Sequence, residues 1–343
     1  MFEQKLKSLV KSSAYPGLFV LCIASTYLSD IEGLSAAGAN NVDCRNTPKW
    51  DSEYLLNWVK TVPVSPMGIV SPVIITKAGL SQLNLDIQVV NCGVFSEPQM
   101  PHLKTSGIPS FKNKLALPID IVHNLYHEGL EYANLINKSY EYIIIAECVP
   151  GGTTTAAGVL SLQGLDIFPL MASSFAQNNQ ELKTQIIKQK LKDIDLADSV
   201  SPLAQIAGMG DSMQAFVLGL SLGLKDKLIV LAGGTQMLAI WSMLKAIMPK
   251  PDLTNLAVFT TNWLATSNQG GFFKLAKMLD VNFKIAQFNF VDSPYPGLQA
   301  YENGHIKEGI GAGAILILLN MLGLTNSEIQ NIIEREYKKI PCQ

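Results

Sequence analysis

The sequence has few charged residues and no excess of either sign. Of its 343 residues, 26 are Lys or Arg and 28 are Asp or Glu, which gives a formal net charge of −2, while 48% are hydrophobic. A protein that binds nucleic acid or an anionic membrane surface carries a basic excess, which this chain lacks. The composition instead favours a large buried core, with small molecules or another copy of the chain as partners.

Long uninterrupted apolar runs are also missing. The best candidates, at residues 15–28, 228–244 and 309–324, are shorter than the roughly 18–20 residues that a spanning helix needs or are broken by Gly, Thr, Gln or Asn. The N-terminal segment MFEQKLKSLVKSS is amphipathic, and no apolar segment with a small-residue cleavage site follows it at the distance typical of a signal peptide. We therefore predict a cytoplasmic protein with no membrane partner.

Cysteine pairs and metal-ligand motifs are absent as well. None of the cysteines forms a C-x-x-C pattern, which argues against a disulfide framework and against a zinc cluster. Buried, reduced thiols are the expectation for all five, at positions 22, 44, 92, 148 and 342. His123 and His127 are four residues apart, but no H-E-x-x-H motif contains them, so no metal site is predicted.

From about residue 85 onward, short β-rich segments alternate with longer helical ones. Strands are predicted at 86–94, 140–146, 227–232, 255–261 and 283–291, and helices at 153–162, 180–197, 212–222, 235–247 and 310–322. This alternation is typical of a doubly wound, mainly parallel α/β sheet of the Rossmann-like type. We predict one large α/β domain, residues 85–323. The loop-like, proline-containing residues 1–84 and the tail 324–343 should form a smaller cap subdomain.

The first candidate motif lies where a predicted strand ends, the position at which such sheets bind ligands. In ECVPGGTTTAAG, residues 147–158, a Gly-Gly turn follows the strand and hydroxyl residues open a helix. Free N–H groups at a helix start suit an anion such as phosphate, and glycines let the backbone approach it closely. An ordinary strand-to-helix turn with a Thr cap is the alternative interpretation.

A second segment has the same architecture. In LIVLAGGTQ, residues 228–236, a strand is again followed by Gly-Gly, Thr and a helix. Two such turns on one parallel sheet favour a shared anionic pocket more than either turn alone. Close packing between helix and strand is the alternative explanation for the small residues.

The third motif places a carboxylate before a run of small residues. In HIKEGIGAGA, residues 305–314, Glu308 precedes an apolar helix, where it could simply cap the helix and complement its dipole. Alternatively, burial would raise its pKa toward the range of a general base. Upstream, DSPYPGL at 292–298 follows another strand and offers Ser293 as a substrate ligand, although a proline-rich turn also explains this composition.

Taken in order, these segments resemble the nicotinate-nucleotide–dimethylbenzimidazole phosphoribosyltransferase superfamily, and most closely its archaeal and cyanobacterial branch. GLSAAG at 33–38 and SPVIITKA at 71–78 also resemble that branch, so the resemblance covers nearly the whole chain. It implies a homodimeric enzyme that exchanges the nicotinate of nicotinate mononucleotide for an aromatic base, such as dimethylbenzimidazole. The product would be an α-riboside phosphate for the lower ligand of a corrinoid, and the reaction would require no cofactor.

The resemblance further implies roles for single residues. Glu308 would be the catalytic base, and Glu147 a second, supporting catalytic residue. The family's phosphate loop reads Gly-x-Gly-Asn-Thr-Thr, from which Pro150 and the third Thr depart. Phosphate and ribose would be bound by Gly151, Gly152, Thr153, Thr154, Gly233, Gly234, Thr235, Ser293, Gly309 and Gly311.

The acceptor-base half of the implied site departs further from the family. Where the enzymes carry Asp-His-Gly-Val, this chain has NCGV at 91–94, so Asn91 and Gly93 are expected in an altered acceptor-base pocket. The enzymes' N-terminal Pro-Gly-Ser-Leu-Gly-type segment has no clear counterpart. These departures leave a second hypothesis open, in which the same fold binds a nucleotide or a corrinoid intermediate without catalysis.

Overall fold

The computed structural model describes residues 1–12, 16–65, 67–171, 179–194, 200–248, 252–305 and 308–340. Within these ranges, seven strands form one sheet in which all neighbouring strands are parallel. In chain order the strands are β1 (Gly17–Ile23), β2 (Leu85–Asn91), β3 (Leu103–Lys104), β4 (Tyr142–Cys148), β5 (Leu228–Ala232), β6 (Leu256–Thr261) and β7 (Phe283–Ala286). Across the sheet their order is β3-β2-β1-β4-β5-β6-β7.

Helices connect the strands and cover both faces of the sheet. In the described ranges they are α1 (Phe2–Lys11), α2 (Asn41–Leu55), α3 (Val73–Leu80), α4 (Ile119–Ile136), α5 (Gly152–Leu162), α6 (Gln180–Leu191), α7 (Pro202–Met209), α8 (Ser212–Gly223), α9 (Thr235–Ile247), α10 (Asn262–Met278), α11 (Pro296–Gln299), α12 (Ala312–Leu322) and α13 (Asn326–Tyr337). Short 3₁₀ turns occupy Tyr27–Asp30 and Phe168–Leu170. No helix in these ranges is long and apolar enough to cross a bilayer.

Two hydrophobic cores lie on opposite faces of the sheet. Along β1, Leu18, Val20 and Cys22 belong to the first core, with residues of α4, α5, α7, α8, α9 and α10. The alternate residues of β1 belong to the second core, with residues of α1, α2, α3, α12 and α13. Because both faces of the sheet are covered, β1, β5 and β6 are buried along their whole length. The predicted doubly wound α/β fold is thereby confirmed.

The N-terminal region differs from the expectation. β1 pairs with β2 on one side and β4 on the other, so the prediction that the sheet starts near residue 85 is wrong. The strand sequence GLFVLCI lacks apolar–polar alternation because both of its faces are buried. The N- and C-terminal parts do pack together on the second face, where the Tyr54 hydroxyl donates to Glu336 Oε1 at 2.9 Å. The division into a large domain and a cap stays a prediction.

Several element ends differ from the predicted boundaries for local reasons. The last predicted strand ends at Ala286, because the chain beyond it leaves the sheet and Phe290 stacks on Trp263 with ring centroids 5.5 Å apart. α12 begins at Ala312 because Ile310 and Gly311 have φ of 55° and 77°. The predicted helix 180–197 ends at Leu191, and residues 195–199 lie outside the described ranges.

The expected state of the cysteines is confirmed for the four that the structure describes. Cys22, Cys44, Cys92 and Cys148 are buried free thiols. Cys342 lies outside the described residues.

Candidate active site

The β4–α5 connection forms a tight turn at the carboxyl edge of the sheet. Gly151 adopts φ = 86°, a conformation that favours glycine, immediately before α5 begins. Gly152 is in close contact with Gln236, since a Cβ atom on this glycine would lie 2.4 Å from Gln236 Nε2. In the first turn of α5, the buried Thr154 hydroxyl has no hydrogen-bond partner among the described residues. The start of this helix therefore combines its N-terminal dipole with an uncommitted hydroxyl.

A buried carboxylate holds this turn against the equivalent turn between β5 and α9. Asp211, the N-cap of α8, accepts hydrogen bonds from Thr155 Oγ1 at 2.5 Å and from Gln236 Nε2 at 2.7 Å. Thr155 belongs to the first turns of α5, and Gln236 to the first turn of α9. Gln214 Nε2 completes the network by donating to Gln236 Oε1 at 2.6 Å. Both predicted Gly-Thr turns are thus fixed around one space.

Glu308 lies ahead of α12 and accepts four hydrogen bonds. Its Oε2 accepts from Thr261 N at 2.7 Å and from Thr260 Oγ1 at 3.1 Å. Its Oε1 accepts from Gly309 N at 3.1 Å and from Gly313 N at 3.2 Å. Burial raises the pKa of Glu308, and the four hydrogen bonds lower it. The effect of burial is the larger, so the pKa is about 7. The carboxyl group therefore caps α12 and is also able to exchange a proton near neutral pH.

The small residues after Glu308 let α12 start directly against the sheet. A Cβ atom on Gly313 would lie 2.2 Å from the carbonyl carbon of Thr260. A Cβ atom on Gly311 would lie 2.9 Å from the Cβ of Ala146, in β4. Only glycine fits at these two positions, so the small-residue motif is what places the Glu308 carboxylate at the end of β6.

Glu147, the second carboxyl group of the site, is half-buried at the end of β4. Burial raises its pKa to about 8, the negative charges of Asp211 and Glu308 add to this effect, and the Val149 N–H lowers the pKa. Because like charges resist ionising together, Glu147 and Glu308 are expected to ionise one after the other as the pH rises, Glu308 first.

These groups meet in a cavity of about 150 Å³ at the carboxyl edge of the sheet. Its walls are residues 34–37, 47, 51, 63–65, 71–72, 147–154, 183, 234–236, 264 and 308–310. The structure thus brings Glu147, Glu308, Gly309, the Gly151–Thr154 turn and Gly234–Thr235 together in one space. Among the described residues, no group of three or more His, Cys, Asp or Glu side chains is positioned to hold a metal ion.

Other residues that the sequence suggested do not line this cavity as the structure describes it. They are Asn91, Gly93, Gly233, Ser293 and Gly311. Asn91 Oδ1 instead accepts from the backbone N–H groups of Gly93, at 2.9 Å, and Val94, at 3.2 Å. The buried Ser293 hydroxyl accepts from Tyr295 N at 3.4 Å. In these positions Asn91 and Ser293 order local turns, and their roles as ligands stay predictions.

Three polar residues of the site were not singled out from the sequence. Lys183 is buried and lines the cavity although its helix, α6, has a mainly polar sequence. Asp51, on α2, is buried and also lines the cavity. Asp211 lies behind the two turns, and its capping box with Gln214 is a signal that the sequence DSMQ contains. The first two carry no local signal, because only the tertiary structure brings them to the site.

Comparison with known proteins gives the family. No family model matches the chain. A UPF0284 protein of Sulfurisphaera tokodaii is 35% identical over 328 residues, which cover 94% of this chain and 93% of that protein. A UPF0284 protein of Gloeothece citriformis is 35% identical over 334 residues, which cover 92% of this chain and 90% of that protein. The chain belongs to the UPF0284 family.

The fold of this UPF0284 protein is similar to that of solved structures. The nicotinate-nucleotide-dimethylbenzimidazole phosphoribosyltransferase from Thermus thermophilus matches it with a TM-score of 0.63 and 17% sequence identity, over 94% of this chain and 86% of that one. At this identity the match shows a shared fold. This shared fold agrees with the resemblance of the sequence motifs to the superfamily. The UPF0284 relatives agree with the resemblance to its archaeal and cyanobacterial branch.

Proposed function

We propose that this UPF0284 protein is a phosphoribosyltransferase that exchanges the nicotinate of nicotinate mononucleotide for an aromatic base. The observation that carries the proposal is the convergence of two Gly-Thr turns and two carboxyl groups with raised pKa on one cavity. Perturbed carboxyl groups in a cleft are typical of catalytic sites. The product would be an α-riboside phosphate, suited to the lower ligand of a corrinoid.

In this proposal the 5′-phosphate binds at the start of α5. The helix dipole, the backbone of Gly151 and Gly152, and the Thr154 hydroxyl offer complementary groups for an anion there. Lys183 contributes a positive charge to the same cavity. Thr153 and Thr235 are further candidates for contacts with phosphate or ribose, since both line the cavity.

Glu308 then acts as the base in a single displacement at ribose C1′. A ring nitrogen of the incoming base forms the new bond to C1′, while the bond to nicotinate breaks and its electron pair returns to the pyridinium ring, which becomes neutral. Attack on the face opposite the leaving group converts the β to the α configuration. The proton released from the ring N–H of the base passes to Glu308, a transfer that contributes about 10²–10⁴-fold to the rate.

Glu147 has a supporting role in this scheme. Its pKa of about 8 keeps it mostly protonated at pH 7, so it offers a hydrogen-bond donor while Glu308 is the group that ionises. We further expect a cytoplasmic location, as predicted from the sequence, and a homodimer, as the family resemblance implies. Light scattering at assay concentration tests the dimer, and the mass of one 37.3 kDa chain would contradict it.

The test of the function is turnover with a panel of bases. The protein is incubated with nicotinate mononucleotide and dimethylbenzimidazole, benzimidazole or adenine, and free nicotinate is measured by chromatography. Base-dependent release of nicotinate supports the enzyme. Binding of nicotinate mononucleotide without any release would favour the alternative, a protein that binds a nucleotide or corrinoid intermediate without catalysis.

A further inference from the structure

Part of the cavity wall comes from the N-terminal part of the chain. Its apolar residues include Leu34, Pro63, Val64 and Pro72. Such a wall suits a flat aromatic ring better than a phosphate or a ribose. On the proposed function, which this inference extends, the acceptor base therefore lies against the N-terminal segment while the 5′-phosphate of the nucleotide lies at the start of α5.

Asp51 is a charged group of this wall, and one of its oxygens is left unpaired. The side chain is 2% exposed. Its Oδ2 accepts a weak hydrogen bond from the Cys148 thiol at 3.5 Å. Its Oδ1 has no hydrogen-bond partner within the described ranges. Buried polar atoms in folded proteins are nearly always paired, so an unpaired acceptor in a cavity wall indicates a donor that arrives with the ligand.

Asp51 and Glu308 both line this cavity. Burial raises the pKa of the Tyr301 hydroxyl, the negative charges of Asp51 and Glu308 add to this effect, and the hydroxyl donates to Val70 O at 2.8 Å. Cys148, the partner of Asp51, directly follows Glu147 in β4. In a cavity that both residues line, a bicyclic base with its reacting ring at Glu308 has room to place its other ring against Asp51.

We propose that Asp51 is a specificity-determining residue that selects acceptor bases carrying an N–H donor on the ring remote from the reacting nitrogen. An aminopurine or an amino-substituted benzimidazole has this chemistry, whereas a dimethyl-substituted ring presents only methyl groups to the carboxylate. Burying an acceptor against a methyl group leaves it unpaired, which is how polar sites reject analogues that lack a donor.

Protonation of Asp51 sets the conditions for the test. Burial raises the pKa of Asp51 to about 7. The Ser71 hydroxyl, which lies near the carboxylate without a hydrogen bond of normal geometry to Oδ1, and the Cys148 thiol lower it. At pH 8 the carboxyl group is mainly ionised and can only accept hydrogen bonds. Assays of base preference are therefore made at pH 8.

The test compares 5-aminobenzimidazole with 5-methylbenzimidazole, two bases of nearly the same shape. In the wild-type protein with nicotinate mononucleotide, kcat/KM should be about 10–100-fold higher for the amino base, the range expected of a hydrogen bond to a charged group. Asp51→Leu should abolish or reverse this preference, and Asp51→Asn should reduce it. Thr47→Val is the matched control in the same wall. It should keep the wild-type preference, because the Thr47 hydroxyl already donates within the protein, to Ala37 O and Asp43 O.

Equal kcat/KM for the two bases in the wild-type protein would overturn the role of Asp51 and leave the proposed function intact. A folded Asp51→Leu protein that keeps the preference would overturn it as well. If neither base releases nicotinate, the proposed function fails, and calorimetric titration of the two bases still tests Asp51. In that titration the amino base should bind about tenfold or more tightly to the wild-type protein, and equal affinities would refute the inference.

Discussion

Replacing Glu308 with Gln tests its two roles, helix capping and proton transfer, in one variant. In the arrangement that costs least, the amide oxygen keeps the hydrogen bonds from Gly309 N and Gly313 N, and the amide NH₂ donates to the Thr260 hydroxyl. The N–H of Thr261, now 2.7 Å from Oε2, then faces another donor and loses its acceptor. An unsatisfied buried N–H costs about 1–3 kcal/mol.

Two smaller effects of Glu308→Gln have opposite signs. Loss of the negative charge at the start of α12 costs roughly 0.3–1 kcal/mol through the helix dipole. Removal of an ionised carboxylate whose burial raises its pKa to about 7 is favourable above that pH. We therefore expect the free energy of unfolding to fall by at most about 3 kcal/mol, so the variant remains folded.

The assay measures thermal unfolding and turnover on the same sample of Glu308→Gln. We expect turnover to fall by about 10²–10⁴-fold, with the affinity for nicotinate mononucleotide retained. Glu328→Gln is the matched control, because the exposed Glu328 accepts from Thr325 N at 2.8 Å in the capping box of α13, outside the cavity. Because Gln also forms a capping box, this variant should change the melting temperature only slightly and leave turnover unchanged. A Glu308→Gln protein that turns over at the wild-type rate per folded molecule would refute the catalytic role and leave only the cap.

The remaining predictions concern pH and the phosphate turn. Because Glu308 must be ionised and Glu147 protonated, turnover should fall below pH about 7 and above pH about 8, and a flat profile between pH 6 and 9 would contradict this assignment. The pKa of Glu147 is raised from 4.5 to about 8 on folding, so its contribution to stability is complete below pH 4.5 and is lost as the pH rises through 8. The melting temperature of Glu147→Gln should therefore exceed that of the wild type at pH 9, and exceed it by less at pH 6. An equal difference in melting temperature at the two pH values would contradict this prediction. In Gly152→Ala, the new methyl carbon would lie 2.4 Å from Gln236 Nε2, so the Gln236 side chain must move and the turn is distorted. The affinity for nicotinate mononucleotide, measured by calorimetry, should fall by about tenfold or more. An unchanged affinity would exclude this turn as the phosphate site.

Much of the fold follows from local patterns in the sequence. The strand that ends at Cys148 and the helix that starts at Gly152 were predicted within two residues, because an apolar run meets a Gly-Gly turn there. β1 could not be told from any other apolar segment, since a strand buried on both faces has no periodicity. The two Gly-Gly turns at strand ends likewise predicted one shared pocket, because parallel strands end at one edge of the sheet, and both turns do line one cavity.

Several residues in and around the cavity could not be predicted from local sequence patterns. Asp51 lies on a helix with no distinctive motif, and its hydrogen-bond partner Cys148 is 97 positions away. Lys183 lies in a helix whose polar sequence, QELKTQIIKQKL, indicates a solvent-exposed surface. The link from Asp211 to Thr155 spans 56 positions. Contacts of this kind arise from tertiary packing, which local periodicity does not encode.

The most direct test of the account follows the anomeric carbon itself. Nicotinate mononucleotide and one equivalent of benzimidazole are incubated with the wild-type protein, and proton NMR records free nicotinate and the configuration at ribose C1′. We predict one nicotinate released for each base consumed, with a product that is entirely α at C1′. With substrates in large excess over the enzyme, the absence of free nicotinate would contradict the single displacement that we assign to this cavity. A product with the β configuration at C1′ would contradict it as well.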